Sequence, residues 1–298
     1  MKQFLFLSGE FTSTLSLCMK QKERWDHTVT ASELKAATGN KISKFTKEYD
    51  GVIWYCSTED DDLAVSNLKT IAESGVPCWP NPEWLLDVND RFENIEKLRK
   101  ENKALVKHIY TGRAAEVYRA GLNIDYPRVI KIGNQHSGIG KYKLSNEAEY
   151  VDFFNQVDDN TTCSIEPFFD GASYRIFVGG KFGSERTVCL RYDNDVDWIK
   201  NAPGCNVVED DSLLDDEVLD EAIGIHREMN QYTKVGEAST MTIFNQGTLL
   251  SGIDYVVTSD GKWNFLEYNH FPGLAMNERI EQIGLQVFQD AIHKLENK

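Results

Sequence analysis

Residues 251–269, SGIDYVVTSDGKWNFLEYN, are two alternating apolar-rich runs joined by Ser259-Asp260-Gly261, a turn sequence that specifies an antiparallel hairpin. Strand side chains alternate between faces with a period of two, so Glu267 and Asn269 project together from the second run. Trp263, Phe265, Leu266 and Tyr268 supply the apolar surface of a core strand, and a carboxylate without a partner is costly to bury among them. Across the hairpin, Asp254 falls on the face that carries Glu267 and Asn269. Hard oxygen donors so grouped suit magnesium, which fills the rest of its octahedron with water and substrate phosphate. The expectation is a metal site at Asp254, Glu267 and Asn269 beneath a nucleotide triphosphate. The plainer alternative for Glu267 is a buried arginine partner.

The first ninety residues read differently. FLFL, DGVIWYC (50–56), a helix from about Asp61 to Ser74 capped by Gly75, and VPCW give a strand-helix-strand rhythm and predict a small, mainly parallel α/β sheet ending near residue 90. Residues 91–103 have helical spacing with one apolar stripe (Phe92, Ile95, Leu98), and a short helix is expected near Ala114–Ala120. From CSIEPFF (163–169) onward, hairpins dominate, with Gly179-Gly180 taken as the turn of the first. The tail from Asn277 spaces Ile280, Ile283, Phe288 and Ile292 on one helical face that docks on the domain. The fold class is therefore α/β, becoming α+β in the C-terminal half, in three lobes: 1–90, 91–165 and 166–298.

The 298 residues carry 47 acidic against 32 basic side chains, a net charge of −15, which opposes attraction to nucleic acid or anionic membrane. Six scattered cysteines, without a C-x-x-C or a nearby histidine cluster, support neither a zinc site nor a disulfide framework and fit free thiols in a reducing cytoplasm. The short apolar run Phe4–Leu7 is too brief for a signal-peptide core or a membrane span.

VIKIGNQHSGIGKYKL (129–144) is a strand bearing Lys131, a loop with Gly133, Gly138 and Gly140, and a return strand. Glycines allow close backbone approach to phosphate. A Walker loop ending at Gly140-Lys141 fails, because Gln135 and Tyr142 stand where Gly and Ser or Thr are required. A dinucleotide fingerprint starting at Gly138 fails at Lys143. What remains is a glycine hairpin with a lysine before it, which a mobile turn explains about as well.

Taken in order, VIKIGNQHSGIG, IEPFFDGASYRIFV, VCLRYDNDVDWIKN, GIDYVV and FLEYNHFPGL resemble the ATP-grasp superfamily, and within it the branch of ribosomal-protein glutamate ligases and related carboxylate-amine ligases. The resemblance covers residues 129–274 and, more loosely, 50–103. It implies an ATP-grasp fold with ATP between a central lid and a C-terminal domain. It also implies that Lys131 contacts the α- and β-phosphates while the loop with Gly138 and Gly140 closes over them. Glu166, Pro167 and Phe168 would form the hinge that reads adenine, with Phe168 and Ile132 as packing surfaces. Arg191 would steady the transferring phosphoryl group, Arg175 would face the site, Asn201 would lie near substrate and metal, and Asp254, Glu267 and Asn269 would be the metal ligands. The implied cofactors are ATP and magnesium, with manganese as a substitute.

The chain also departs from that family. Arg91 stands where a lysine is usual, and Ser173 where a carboxylate grips the ribose, with Asp170 as its replacement. Ile199 stands where the glutamate ligases have an arginine, which puts glutamate as the added amino acid in doubt. The segment 240–251 looks additional, and Trp198 and Cys205 read as packing residues. The implied reaction is ATP-dependent amide formation between a carboxylate and an amine through an acyl phosphate. A kinase or a non-catalytic, synapsin-like ATP-binding protein are the alternatives; Arg191 and Asn201 speak against the latter. The substrates, whether amino acid, peptide or protein tail, and any homo-oligomer stay open.

Overall fold

The computed structural model describes residues 2–8, 28–33, 47–56, 62–87, 90–101, 105–133, 139–194, 198–199, 204–230, 232–235, 241–244, 249–274 and 277–297. The N-terminal strands are β1 (Gln3–Ser8), β2 (Thr28–Glu33), β3 (Gly51–Tyr55) and β4 (Cys78–Trp79), in the order β2-β1-β3-β4 with every pairing parallel. Helix α1 (Asp62–Ser74) crosses from β3 to β4, and Gly75 ends it with φ +72°, the left-handed cap expected there. Helix α2 (Pro82–Asp87) starts where the Asn81 side chain accepts the Glu83 and Trp84 amides at 2.8 and 3.2 Å.

Asp90 likewise accepts the Phe92 and Glu93 amides at 2.7 and 3.1 Å and starts α3 (Arg91–Glu101). The apolar stripe of α3 does not join the lid. Ile95 and Leu98 are buried with Tyr174, Ile176 and Tyr255 of the C-terminal core. The lid sheet comprises β5 (Tyr110–Arg113), β6 (Arg128–Ile132), β7 (Lys141–Leu144) and β8 (Thr162–Pro167), antiparallel in the order β5-β8-β6-β7. Helices α4 (Ala114–Gly121) and α5 (Glu147–Gln156) cover one face through Val117, Ile130, Tyr150 and Ile165. The strand β8 runs unbroken through residues 165–166, so the chain leaves the lid at 168–170.

The C-terminal sheet is antiparallel, ordered β11-β10-β9-β14-β15: β9 (Gly171–Gly180), β10 (Arg186–Asp193), β11 (Asn206–Glu209), β14 (Leu249–Thr258) and β15 (Trp263–Asn269). A small pair, β12 (Tyr232–Val235) and β13 (Met241–Phe244), precedes β14 and takes in part of the additional segment. The turn between β9 and β10 is Lys181–Glu185 rather than Gly179-Gly180. Gly179 is still strand, and it is glycine for a reason of space: a Cβ would lie 2.5 Å from Ile283. Helix α6 (Asp216–Asn230) and α3 cover the face bearing Tyr174, Ile176 and Tyr255. Helix α7 (Glu278–Glu296), capped by Asn277, buries the predicted Ile280, Ile283, Phe288 and Ile292. It shares one core with Phe4, Phe6 and Trp54 of the N-terminal sheet and Phe177 and Leu190 of the C-terminal sheet.

Candidate nucleotide site

Between the lid and C-terminal sheets lies a cleft of about 330 Å³, lined among others by Val129, Lys131, Lys141, Phe168, Asp254 and Glu267. The hairpin at its floor is the one anticipated. Asp254 is directly opposite Glu267 and Gly252 opposite Asn269, and the register slips by one residue after Asp254. That bulge turns both Leu266 and Glu267 toward the cleft, whereas Phe265 and Tyr268 enter the core behind. Asn269 Nδ2 lies 3.4 Å from Asp254 Oδ2, so the three predicted ligands are brought together.

Cations surround them. Arg175, opposite Asp254 on β9, holds it with two hydrogen bonds, Nε to Oδ1 at 2.5 Å and an Nη to Oδ2 at 2.7 Å. Gly252 makes room for this arginine: a Cβ there would lie 3.1 Å from Arg175 Cδ. Glu267 meets Lys141 Nζ at 3.3 Å and an Arg91 Nη at 3.9 Å. Burial pushes the Glu267 carboxyl up, but Lys141, Arg91, Lys131 and Arg175 outweigh it and hold the group well below the usual carboxylate range. It is an ionised donor at neutral pH. Lys131 bridges the sheets, with Nζ 2.8 Å from Glu166 Oε1 and donating to the Leu266 carbonyl at 3.3 Å. The other Glu166 oxygen is buried without a hydrogen-bond partner.

The donor set suits a hard divalent ion. Among the described residues no three His, Cys, Asp or Glu side chains gather to hold a metal alone. Two carboxylates and an amide are nevertheless the few protein ligands magnesium takes when phosphate and water supply the others.

Other expected residues fall as follows. Arg91 begins α3 at 7% exposure, with an Nη donating to the Gly133 carbonyl at 3.4 Å. Gly140, with φ +70°, leads into β7. Pro167 and Phe168 line the hinge side of the cleft, with Asp170 and Ser173 beside them. The Phe168 amide, however, donates to the Pro127 carbonyl at 2.9 Å and so does not face the cleft. Gly138 and Asn201 lie outside the described residues.

Two assignments are corrected. Arg191 pairs in register with Tyr174, whose side chain is in the core behind the sheet, so alternation turns Arg191 away from the cleft. It binds Asp193 and Asp210 instead, the latter at 2.5 Å. Ile132 is likewise on the wrong face and packs on the lid's own core, while Val129, in phase with Lys131, lines the cleft. Trp198 and Ile199 also line it, with Trp198 edge-on to Phe168 at 6.1 Å between ring centroids. Lys141 and Lys143 were missed. The signal was Lys-Tyr-Lys after Gly140, whose period of two sends both lysines to one face and exposes Tyr142.

The family profile described as "Synapsin, ATP binding domain" matches residues 89–219. A relative, the probable alpha-L-glutamate ligase of Mannheimia succiniciproducens, is 24% identical over 257 residues, covering 84% of this chain and 78% of its own. Among solved structures, the D-alanine–D-alanine ligase of Bacillus anthracis complexed with ATP superposes with a TM-score of 0.66 at 12% identity, covering 100% of this chain and 98% of that one. The chain has the ATP-grasp fold. The N5-carboxyaminoimidazole synthase of Aspergillus clavatus, in complex with ADP and its ribonucleotide, gives a TM-score of 0.65 at 12% identity over 97% of this chain and 77% of that one. In ATP-grasp terms, the cleft described above lies between the lid and the C-terminal sheet.

Proposed function

We propose that the protein is an ATP-dependent carboxylate-amine ligase. The supporting observation is the pair of buried, cross-strand carboxylates, Asp254 and Glu267, facing lysines of the lid across a cleft of nucleotide size in an ATP-grasp chain. The lobes are 1–90, 91–165 and 166–298, with two adjustments: residues as far as Ile109, α3 included, pack with the last lobe, and β8 carries the lid on through Pro167. Phe168 would pack against the base of ATP, Lys131 would hold its phosphates, Asp170 and Ser173 would hold the ribose, and Asp254, Glu267 and Asn269 would hold magnesium. Magnesium, when bound, neutralises phosphate charge.

The chain's own groups do the remaining work by position and charge. Lys131 and Arg175 stabilise the transferring phosphoryl group as the substrate carboxylate attacks the γ-phosphorus and ADP leaves. The closed lid keeps water from the acyl phosphate. An amine then attacks the carbonyl carbon, inorganic phosphate departs and the amine loses a proton. Ile199 and Trp198 give the wall where the glutamate ligases carry an arginine an apolar character, which favours a substrate without a second carboxylate there. With Arg191 turned away, its weight against a non-catalytic, synapsin-like role is lost, and turnover has to decide. A cytoplasmic setting belongs to the same proposal, supported by free thiols at Cys163, Cys189 and Cys205. Among the described residues no helix is long and apolar enough to cross a membrane.

The test is a screen of paired amino acids and dipeptides for ADP release from MgATP, with hydroxylamine added to capture an acyl phosphate as hydroxamate. ADP release with hydroxamate supports the ligase. Phosphorylated product without hydroxamate identifies a kinase, and MgATP binding with no turnover on any pair identifies a binding protein.

A further inference from the structure

Lys131 and Lys141 occupy one cross-strand position of the lid, and both ammonium groups point into the cleft. Like charges directly opposite in an antiparallel pair repel, with Cβ atoms about 4.5–5.5 Å apart. Their side chains are also buried, at 4% and 11% exposure. The arrangement is tolerable because each lysine has its own carboxylate, but the two pairs are not equivalent. Glu166 lies on β8, inside the lid sheet with Lys131, so that pair moves with the lid. Glu267 lies on β15, so the Lys141 pair spans the cleft, and at 3.3 Å against 2.8 Å it is the looser. Glu267 is also the carboxylate that a divalent ion claims, with Arg91 already at 3.9 Å. An ion on Glu267 leaves Lys141 buried beside added positive charge, and polyphosphate is the anion that arrives with it. Lys143, two residues on, is not available for that role because its ammonium sits 3.5 Å from the centroid of the Phe168 ring on the hinge side.

We propose that Lys141 is a second polyphosphate-binding lysine, which rests on Glu267 and holds the lid to the floor until metal-bound nucleotide displaces it onto the phosphates. This rests on the nucleotide reading of the cleft, and it makes Glu267 an internal competitor for Lys141 when metal is withheld. Titration calorimetry on the full chain distinguishes the two, using ADP with magnesium, ADP in EDTA, and adenosine as probes. Lys141→Met weakens MgADP binding about tenfold, the loss of one charge-assisted phosphate contact, and leaves adenosine affinity unchanged. Lys141→Arg, which keeps the charge, retains most of the MgADP affinity. Glu267→Gln tightens ADP binding in EDTA severalfold by releasing Lys141, and the gain disappears in the Lys141→Met, Glu267→Gln double variant. Equal MgADP affinity in wild type and Lys141→Met overturns the proposal and leaves the nucleotide site standing. So does an adenosine loss as large as the ADP loss, or a Glu267→Gln gain that persists in the double variant. A wild-type protein that binds neither MgADP nor adenosine overturns the nucleotide reading and this proposal with it.

Discussion

Arg175 and Arg191 stand on neighbouring antiparallel strands and have opposite consequences, because one side chain lies on the face of Asp254 and the other on the back of the sheet. Removing Arg175 strands the buried Asp254 without its two hydrogen bonds. Arg175→Met is therefore expected to cost about 3 kcal/mol in urea unfolding, and adding Asp254→Asn recovers most of it, since the uncompensated charge rather than the lost contact is the penalty. Arg191 is 34% exposed in a surface ion cluster, so Arg191→Ala changes stability by less than about 1 kcal/mol and leaves nucleotide affinity intact. Loss of nucleotide binding in Arg191→Ala would place that arginine back in the cleft. The contrast also marks what one residue's identity can convey. Glu267 and Asn269 were legible together because alternation puts them on one face, whereas Asp254 meets Glu267 only through the bulge after it, since the register set by the turn would pair Asp254 with Leu266. Arg191 was not, because its face depends on the five-residue Lys181–Glu185 turn, and glycines at 179, 180 and 183 offer more than one place to reverse.

At the scale of elements, amphipathic helices and alternating strands were readable from period alone: α1, α4 and α7 lie where spacing put them, and Gly75 caps where expected. Which sheet an element joins was less accessible. Helix α3 and strand β8 carry ordinary apolar patterns that suit either neighbouring sheet, and long-range packing chose the C-terminal core for one and the lid for the other. Beside its apolar contacts through Ala222, Ile225 and Met229, α6 has a buried polar attachment with a pH signature. His226 Nδ1 lies 2.7 Å from Ser251 Oγ on β14, and Ser251 Oγ shares a 2.5 Å hydrogen bond with the Tyr268 hydroxyl on β15. Asn230 donates to that hydroxyl at 2.9 Å. Protonated His226 would need an acceptor for Nε2, which is buried without one, and burial pushes its pKa down to about 4. The folded histidine thus refuses a proton that the unfolded chain accepts near pH 6.5. Its neutral form is fully accommodated above that pH, and stability falls as pH drops from about 6.5 toward 4, by up to roughly 3 kcal/mol. His270, pushed by burial down to about 3, adds a second loss of the same sign. Urea midpoints at pH 7.5 and 5.0 should differ less in His226→Gln than in wild type; identical pH dependence would remove His226 as a source.

Across the whole molecule, the three larger sheets are unequally secured. The N-terminal and C-terminal sheets share one apolar core through α7, where Phe288 meets Phe6 at 5.0 Å and Tyr55 at 5.1 Å between ring centroids. Tyr55 also donates to the Pro272 carbonyl at 2.6 Å, which ties the parallel sheet to the Pro-Gly turn beyond β15. The lid has a core of its own around Val117, Ile130, Tyr150 and Ile165, smaller than either of the others. Among the described residues its tethers across the cleft are ionic or polar: Lys131 to Leu266, Lys141 to Glu267 and Arg91 to Gly133. Few buried apolar contacts across a boundary mean a low free energy for local opening there. Amide exchange should therefore be faster through the lid's inner strands β6 and β8 than through β9, β10 and β14, the inner strands of the C-terminal sheet. MgADP gives the lid a second set of bonds across the cleft, so it should slow exchange selectively in β6, β7 and β8, with little change on α7. Uniform slowing over the whole chain would mean that nucleotide stabilises only against global unfolding. In that event the lid opens together with the other sheets, and its smaller core does not make it a separate unit.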